Sequence, residues 1–319
     1  MAEAQEDDDD VFVYMGGNQQ VPEEVRRARI HISVKIVRAR AFFYRTSLIY
    51  VEFHDGVEII EEGAFDGCRS LRGMIKLLGV KIIKAEAFYD CDALTDVEFG
   101  DKLETIEKEA FNRCKALKKI KMPSVRTIGF RAFAWSKEIT DVEFGEGLRA
   151  VRREAFRGCS KLKRIALPLR DMIEEDDVFY QCLKLETVVL VGGVQNTVAS
   201  LHMESWRSKM NKEINRINQS LPTTNDRLQT NVIQHWMRSV ISRLDRYKAE
   251  HKAILKEATT LLELALWKAN LVDNGGGKGE RGGARTTRGS RKRAREESCV
   301  TSGASIVIKN VLPFLQFSE

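Results

Sequence analysis

The chain has 319 residues, 43% of them hydrophobic and 31% charged, with a formal net charge of +6 at pH 7. This suffices for two or three domains with a substantial core. No run reaches the roughly 20 apolar residues that a membrane-spanning helix needs, so no membrane partner is expected. The charge is local. Between Gly275 and Arg295, eight basic residues (Lys278, Arg281, Arg285, Arg288, Arg291, Lys292, Arg293, Arg295) face one acid, Glu280, and the rest of the chain carries about −1. A basic binding face on the folded part is therefore not expected.

Residues 1–10 include Glu3, Glu6 and the run Asp7 to Asp10, which reads as an acidic, disordered N-terminus. It is the reverse of the basic and apolar regions of a secretory leader. The expectation is an intracellular location, cytoplasmic or nuclear, with reduced cysteines and an unglycosylated Asn218-Gln219-Ser220. Residues 11–36 carry Val11, Val13, the Gly16-Gly17 turn and the run from Ile30 to Val34. They are placed to cap the open end of the repeats that follow.

Residues 37–192 repeat. Ala-Phe recurs at 41/42, 64/65, 87/88, 110/111, 132/133 and 155/156, and Val178-Phe179 continues it, with a period of 22 or 23. Six residues after each Phe stand Leu48, Leu71, Leu94, Leu117, Ile139, Leu162 and Leu185. Three further on stand Val51, Met74, Val97, Ile120, Val142, Ile165 and Val188. Five before each Phe stand Val37, Ile60, Ile83, Ile106, Ile128 and Val151; in the last unit this column slips, with Ile173 beside it. Apolar columns at fixed phase mean that each unit buries its face only against its neighbours, which predicts a solenoid. Leu94-Thr95-Asp96-Val97-Glu98-Phe99 alternates apolar and polar, as a strand with one buried face does, so the stacked strands form a parallel sheet.

The unit Ile106-Glu107-Lys108-Glu109-Ala110-Phe111-Asn112-Arg113-Cys114-Lys115-Ala116-Leu117-Lys118-Lys119-Ile120 resembles the BspA-type leucine-rich repeats. The resemblance covers about half of the chain. It implies a leucine-rich-repeat type parallel β-solenoid of about seven 23-residue units, used for protein or cell-surface recognition.

Five of the six cysteines, Cys68, Cys91, Cys114, Cys159 and Cys182, lie three residues after a repeat Phe, with Ser136 in the remaining place. No CxxC pair exists and histidine is scarce, so the reading is a buried structural ladder rather than a metal or redox site. Positions eight and ten after each Phe define the expected outward face of the strands. Their charges alternate from strand to strand, which predicts cross-strand ion pairs and argues against a nucleic-acid groove. Partner contact is then expected at the two ends, near Tyr50 and Ile75 or near Thr187 and Val189.

Residues 196–272 change to helical periodicity. Val198, Leu201, Trp206, Met210, Ile214, Ile217 and Leu221 come before a break at Pro222. Val240, Leu244, Tyr247, His251, Ile254, Ala258, Leu261 and Ala265 then follow a heptad spacing. This predicts a helical hairpin or coiled coil that caps the last repeat, or that pairs with a partner or its own copy through Val240, Leu244, Tyr247 and Leu261. Residues 275–305 read as a disordered basic low-complexity tail, in which Arg291, Lys292, Arg293 and Arg295 resemble a nuclear import signal. Residues 306–319 form a short apolar segment with no assigned role.

No triad, paired-carboxylate or metal-spaced cluster lies outside the columns of the repeat, so no catalytic residue, cofactor or metal is expected. The leading expectation is a non-enzymatic protein–protein interaction scaffold that uses the solenoid and the helical seam, with self-association as one use of that seam. The alternative is a nuclear protein that binds nucleic acid weakly through the Arg/Gly tail. A second alternative, a surface adhesin, requires a signal peptide upstream.

Overall fold

The structure, a computed structural model, describes residues 11–173, 177–201 and 203–274. The expectations for 1–10, 275–305 and 306–319, including the import-like Arg291, Lys292, Arg293 and Arg295, lie outside these residues. The described residues divide into two compact units. One comprises the residues up to Gln195 with Lys212–Ile241, the other Asn196–Asn211 with the residues from Ser242.

Each period of the sequence makes one turn of a parallel β-solenoid. Front strands run at Val11–Tyr14, Arg27–Ile30, Tyr50–Glu52, Gly73–Leu77, Leu94–Phe99, Lys119–Met122, Asp141–Phe144, Arg164–Pro168 and Thr187–Val191; in chain order they hydrogen-bond as parallel sheets of three, two and four strands, which together make the front face. A second column of two-residue strands, from Ile36–Val37 to Ala150–Val151, forms a six-stranded parallel sheet. Ile173 extends that column through a bridge to Val151, so the slipped residue of the last unit takes the buried place. Period-two alternation drives the front strands: Val142 and Phe144 point into the core while Asp141 and Glu143 remain half-buried on the other face.

The repeat Phe residues build the spine of the core. Phe42, Phe65, Phe88, Phe111, Phe133, Phe156 and Phe179 are all fully buried. Their rings stack with centroid separations of 4.7, 5.1, 5.0, 5.3, 5.4 and 6.0 Å. That spacing follows the distance of about 4.8 Å between neighbouring strands. Two left-handed residues flank each Phe, two before and two after: Arg40/Tyr44, Gly63/Gly67, Glu86/Asp90, Glu109/Arg113, Arg131/Trp135, Glu154/Gly158 and Asp177/Gln181. Such backbone is strained by about 1–2 kcal/mol at a residue other than glycine. It is held in place because the Phe N–H donates to the next turn, as from Phe65 to Ala87 O at 2.7 Å and from Phe133 to Ala155 O at 2.8 Å.

One turn departs from the common register. Gly73, at φ +82°, admits an extra residue, so Met74 pairs with Asp96 and Ile75 with Val97. The chain recovers its phase immediately afterwards, because three steps separate Leu77 from Val80 where four separate Phe99 from Leu103. The sequence placed Met74 inward and Ile75 outward. The structure reverses them.

After the solenoid come helices α1 (Val194–Ala199), α2 (Glu204–Ser220) and α3 (Gln229–Asn274), the last two joined through a 3-10 turn at Leu221–Thr223. Within the first unit, Trp236 Nε1 donates to Glu213 O and Ser239 Oγ to Glu213 Oε1, both at 2.9 Å. In the second unit, Trp206 stacks on Tyr247 at 4.9 Å.

The helical residues of the first unit also finish the solenoid. A last turn leaves hydrogen-bonding groups that no further turn can satisfy, and buried ones are costly. Phe179 N–H donates to Thr230 Oγ1 at 3.0 Å, in place of the carbonyl that each earlier Phe finds. Val188 N–H donates to Asn218 Oδ1 at 2.8 Å, and Ile173 O accepts from Gln234 Nε2 at 2.8 Å. Each of the three ladders, Phe, front strand and short strand, is thus ended by one helical side chain. The cap reading of the hairpin is the one seen in this unit.

Candidate interaction surfaces

The outward side of the front strands is largely paired with itself. Arg29 lies opposite Glu52 at 2.6 Å, Lys76 opposite Glu98 at 3.9 Å and Lys121 opposite Glu143 at 3.8 Å, while Arg164 reaches the same Glu143 at 3.9 Å. Off these strands the pairing continues at one-turn spacing, as in Glu58–Lys81, Asp92–Lys115 and Glu138–Lys161 at 2.7, 2.9 and 2.7 Å. A separation of 23 residues acts here as i,i+4 does on a helix, since it places two side chains one above the other. Each exposed pair is worth about 0.2–1 kcal/mol. Their joint effect is to leave no stripe of one sign along the front face.

The sequence-predicted site residues fall into separate groups. Tyr50 is exposed, and Arg27 lies over its ring at 5.7 Å. Ile75 is only 2% exposed and belongs to the core, for the register reason given above. Its outward neighbour is Met74, which sequence reasoning missed; Gly73 was the available signal. Thr187 and Val189 are half-buried on the last strand. Of the helical seam, Val240, Leu244 and Tyr247 are buried within the chain, which corrects their expectation as partner contacts, whereas Leu261 is exposed. Exposed Leu264 and Trp267 continue from Leu261 at steps of three, a stripe that the heptad count did not select.

The cysteines serve the fold. Cys68, Cys91, Cys114, Cys159 and Cys182 donate Sγ–H to Phe42 O, Phe65 O, Phe88 O, Phe133 O and Phe156 O at 3.0–3.2 Å. Ser136 does the same to Phe111 O at 2.9 Å. Burial pushes the Cys68 thiol up to about 12 and raises the other four as well. These groups stay protonated at neutral pH and offer neither a thiolate nucleophile nor a soft metal ligand.

The BspA-type leucine-rich repeat region model matches six copies over residues 35–124 and 81–208, together more than half of the chain. The chain is a BspA-type leucine-rich repeat protein. A search of curated proteins found no match. Among solved structures, this BspA-type chain is 28% identical to a T. pallidum leucine-rich repeat protein (54% of this chain, 78% of that one, TM-score 0.43). It is 18% identical to the pneumococcal vaccine antigen PcpA (57% and 66%, TM-score 0.32) and 21% identical to a Bacteroides ovatus leucine-rich repeat protein (51% and 60%, TM-score 0.30).

A BspA-type solenoid suggests a protein-interaction or adhesion scaffold, and solenoids of this family are typically non-enzymatic. Among the described residues, no helix is long and apolar enough to cross a membrane, and no group of three or more His, Cys, Asp or Glu is placed to hold a metal ion.

Proposed function

We propose that this protein is a non-enzymatic intracellular scaffold that binds a protein partner on the N-terminal half of its front face. One observation carries the reading. Val13, Tyr50 and Met74 are 38%, 41% and 53% exposed on the first, third and fourth front strands, with Arg27 over the Tyr50 ring, on a front face whose other outward positions are mainly ion-paired. Tyr, Met and Arg are enriched in the cores of protein interfaces, and exposed apolar side chains rimmed by charge are the usual material of a hot spot. The far end of the solenoid is finished by side chains of α2 and α3, which favours the near end. The stripe Leu261, Leu264 and Trp267 supports self-association as a second use of the chain.

Affinity capture with full-length protein tests the reading. Tyr50→Glu/Met74→Glu should lose partners that Lys119→Ala/Lys121→Ala retains. Recovery of the same partners with both variants refutes it. Gel filtration of Leu264→Glu/Trp267→Glu beside the wild type tests self-association, which fails if both elute as the same species.

A further inference from the structure

A polar cavity of about 390 Å³ lies at the start of the solenoid. Its walls include Arg38, Arg40, Arg45, Glu61, Gln20 and Tyr14. The fold explains the gap. In each later turn, the residue after the short strand donates its N–H to the turn before, as Glu61 does to Val37 O and Lys84 to Ile60 O, both at 2.9 Å. Arg38 is first in that column and has the cap residue Tyr14 where a preceding turn would be. Tyr14 packs its ring on Phe42 at 5.3 Å and is fully buried. The Arg38 backbone lowers the pKa of the Tyr14 hydroxyl against a larger upward push from burial, yet no hydrogen bond of proper geometry forms to that oxygen. A buried hydroxyl left in this way has donor capacity to spare.

Two of the three cations around it are held in place. Arg45 donates Nε to Val21 O at 2.7 Å and Nη1 to Phe43 O at 2.9 Å. Arg40 lies over the Phe43 ring at 5.5 Å. Glu61, the one acid in the wall, is drawn off by Ala39 N–H at 3.1 Å and Lys84 Nζ at 3.4 Å, with Arg38 at 3.9 Å. Three guanidinium groups against one carboxylate leave two positive charges, which match a dianion better than a monoanion. Arginine forks fit the oxygens of a phosphate.

We propose that this cavity binds the phosphate group of a phosphate monoester, with Arg38 and Arg40 as its cationic contacts and the Tyr14 hydroxyl as a donor from the floor. Calorimetric titration of the full-length protein with glycerol phosphate, at ionic strength held constant with chloride, tests this. Saturable binding is expected, weakened about tenfold or more by Arg38→Gln/Arg40→Gln and by Tyr14→Phe, which keeps the ring on Phe42. Acetate should bind far more weakly. Sedimentation with phosphatidic acid vesicles, repeated with the same variants, distinguishes a lipid headgroup from a soluble monoester. The proposal is overturned if neither glycerol phosphate nor the vesicles bind, if acetate binds as well as glycerol phosphate, or if both variants bind like the wild type.

Discussion

Replacing Thr230 with valine tests whether the helices end the solenoid through hydrogen bonds or merely cover it. The two side chains have nearly the same shape, so packing is preserved and only the acceptor of the Phe179 N–H disappears. Both residues are buried, Thr230 at 1% and Phe179 at 0% exposure, so water cannot take the vacated place. A buried donor left without a partner costs about 1–3 kcal/mol. If the loss falls on local opening, the Phe179 amide should exchange its hydrogen roughly 5- to 150-fold faster. The Phe156 amide, bonded to Val178 O at 3.0 Å inside the ladder, serves as the internal reference. Hydrogen exchange read by NMR, with urea denaturation beside it, measures both quantities. Thr230→Ser, which keeps the acceptor and loses a methyl group, should remain closer to wild type in exchange at Phe179. The reasoning fails if Thr230→Val leaves stability and Phe179 exchange unchanged, or if the serine variant exchanges faster at Phe179 than the valine variant.

Other consequences of the fold are open to direct measurement. Iodoacetamide at pH 8 should leave Cys68, Cys91, Cys114, Cys159 and Cys182 unlabelled in the folded protein and modify them in denaturant, as read by peptide mass spectrometry; rapid native labelling of any of them contradicts the buried thiol ladder. Asp66 is held up to about 6, first by burial and then by the charges of Glu86 and Asp90. Its folded pKa lies above the unfolded value of 3.8, so its contribution is fully present below pH 3.8 and is lost as the pH rises through 6. Asp66→Asn should therefore stabilise the protein at pH 7, by about 1 kcal/mol after discounting for partial exposure, and have little effect near pH 4; equal effects at both pH values would disprove the linkage. Gly73→Ala should cost about 1 kcal/mol in urea denaturation, because a Cβ is strained at φ +82° even where nothing crowds it. No loss would mean that the extra residue is accommodated elsewhere.

The period of 22 or 23 residues was sufficient to establish the solenoid, because columns of Phe, Leu and Ile at fixed phase have only one way to bury their faces together. The same count identified the cysteine ladder and the vertical ion pairs, both of which depend on what stands one turn away. The helical seam was legible as a seam, but its fate was not. Heptad spacing shows which residues share a face without showing whether another part of the chain already covers it, and Val240, Leu244 and Tyr247 proved to be covered.

Register at one strand also needed three dimensions. The Met74/Ile75 exchange leaves the period untouched, since the residue gained at Gly73 is returned before Val80, and a spacing count cannot detect a cancelled shift. The three caps at Asn218, Thr230 and Gln234 act over 30, 51 and 61 residues of chain. No local pattern marks a polar side chain that completes a distant ladder. The repeating unit and its core follow from short-range periodicity and can be read along the chain. How the two ends are closed is settled in three dimensions, because an end is defined by the missing turn and by whatever residues the rest of the chain brings to it.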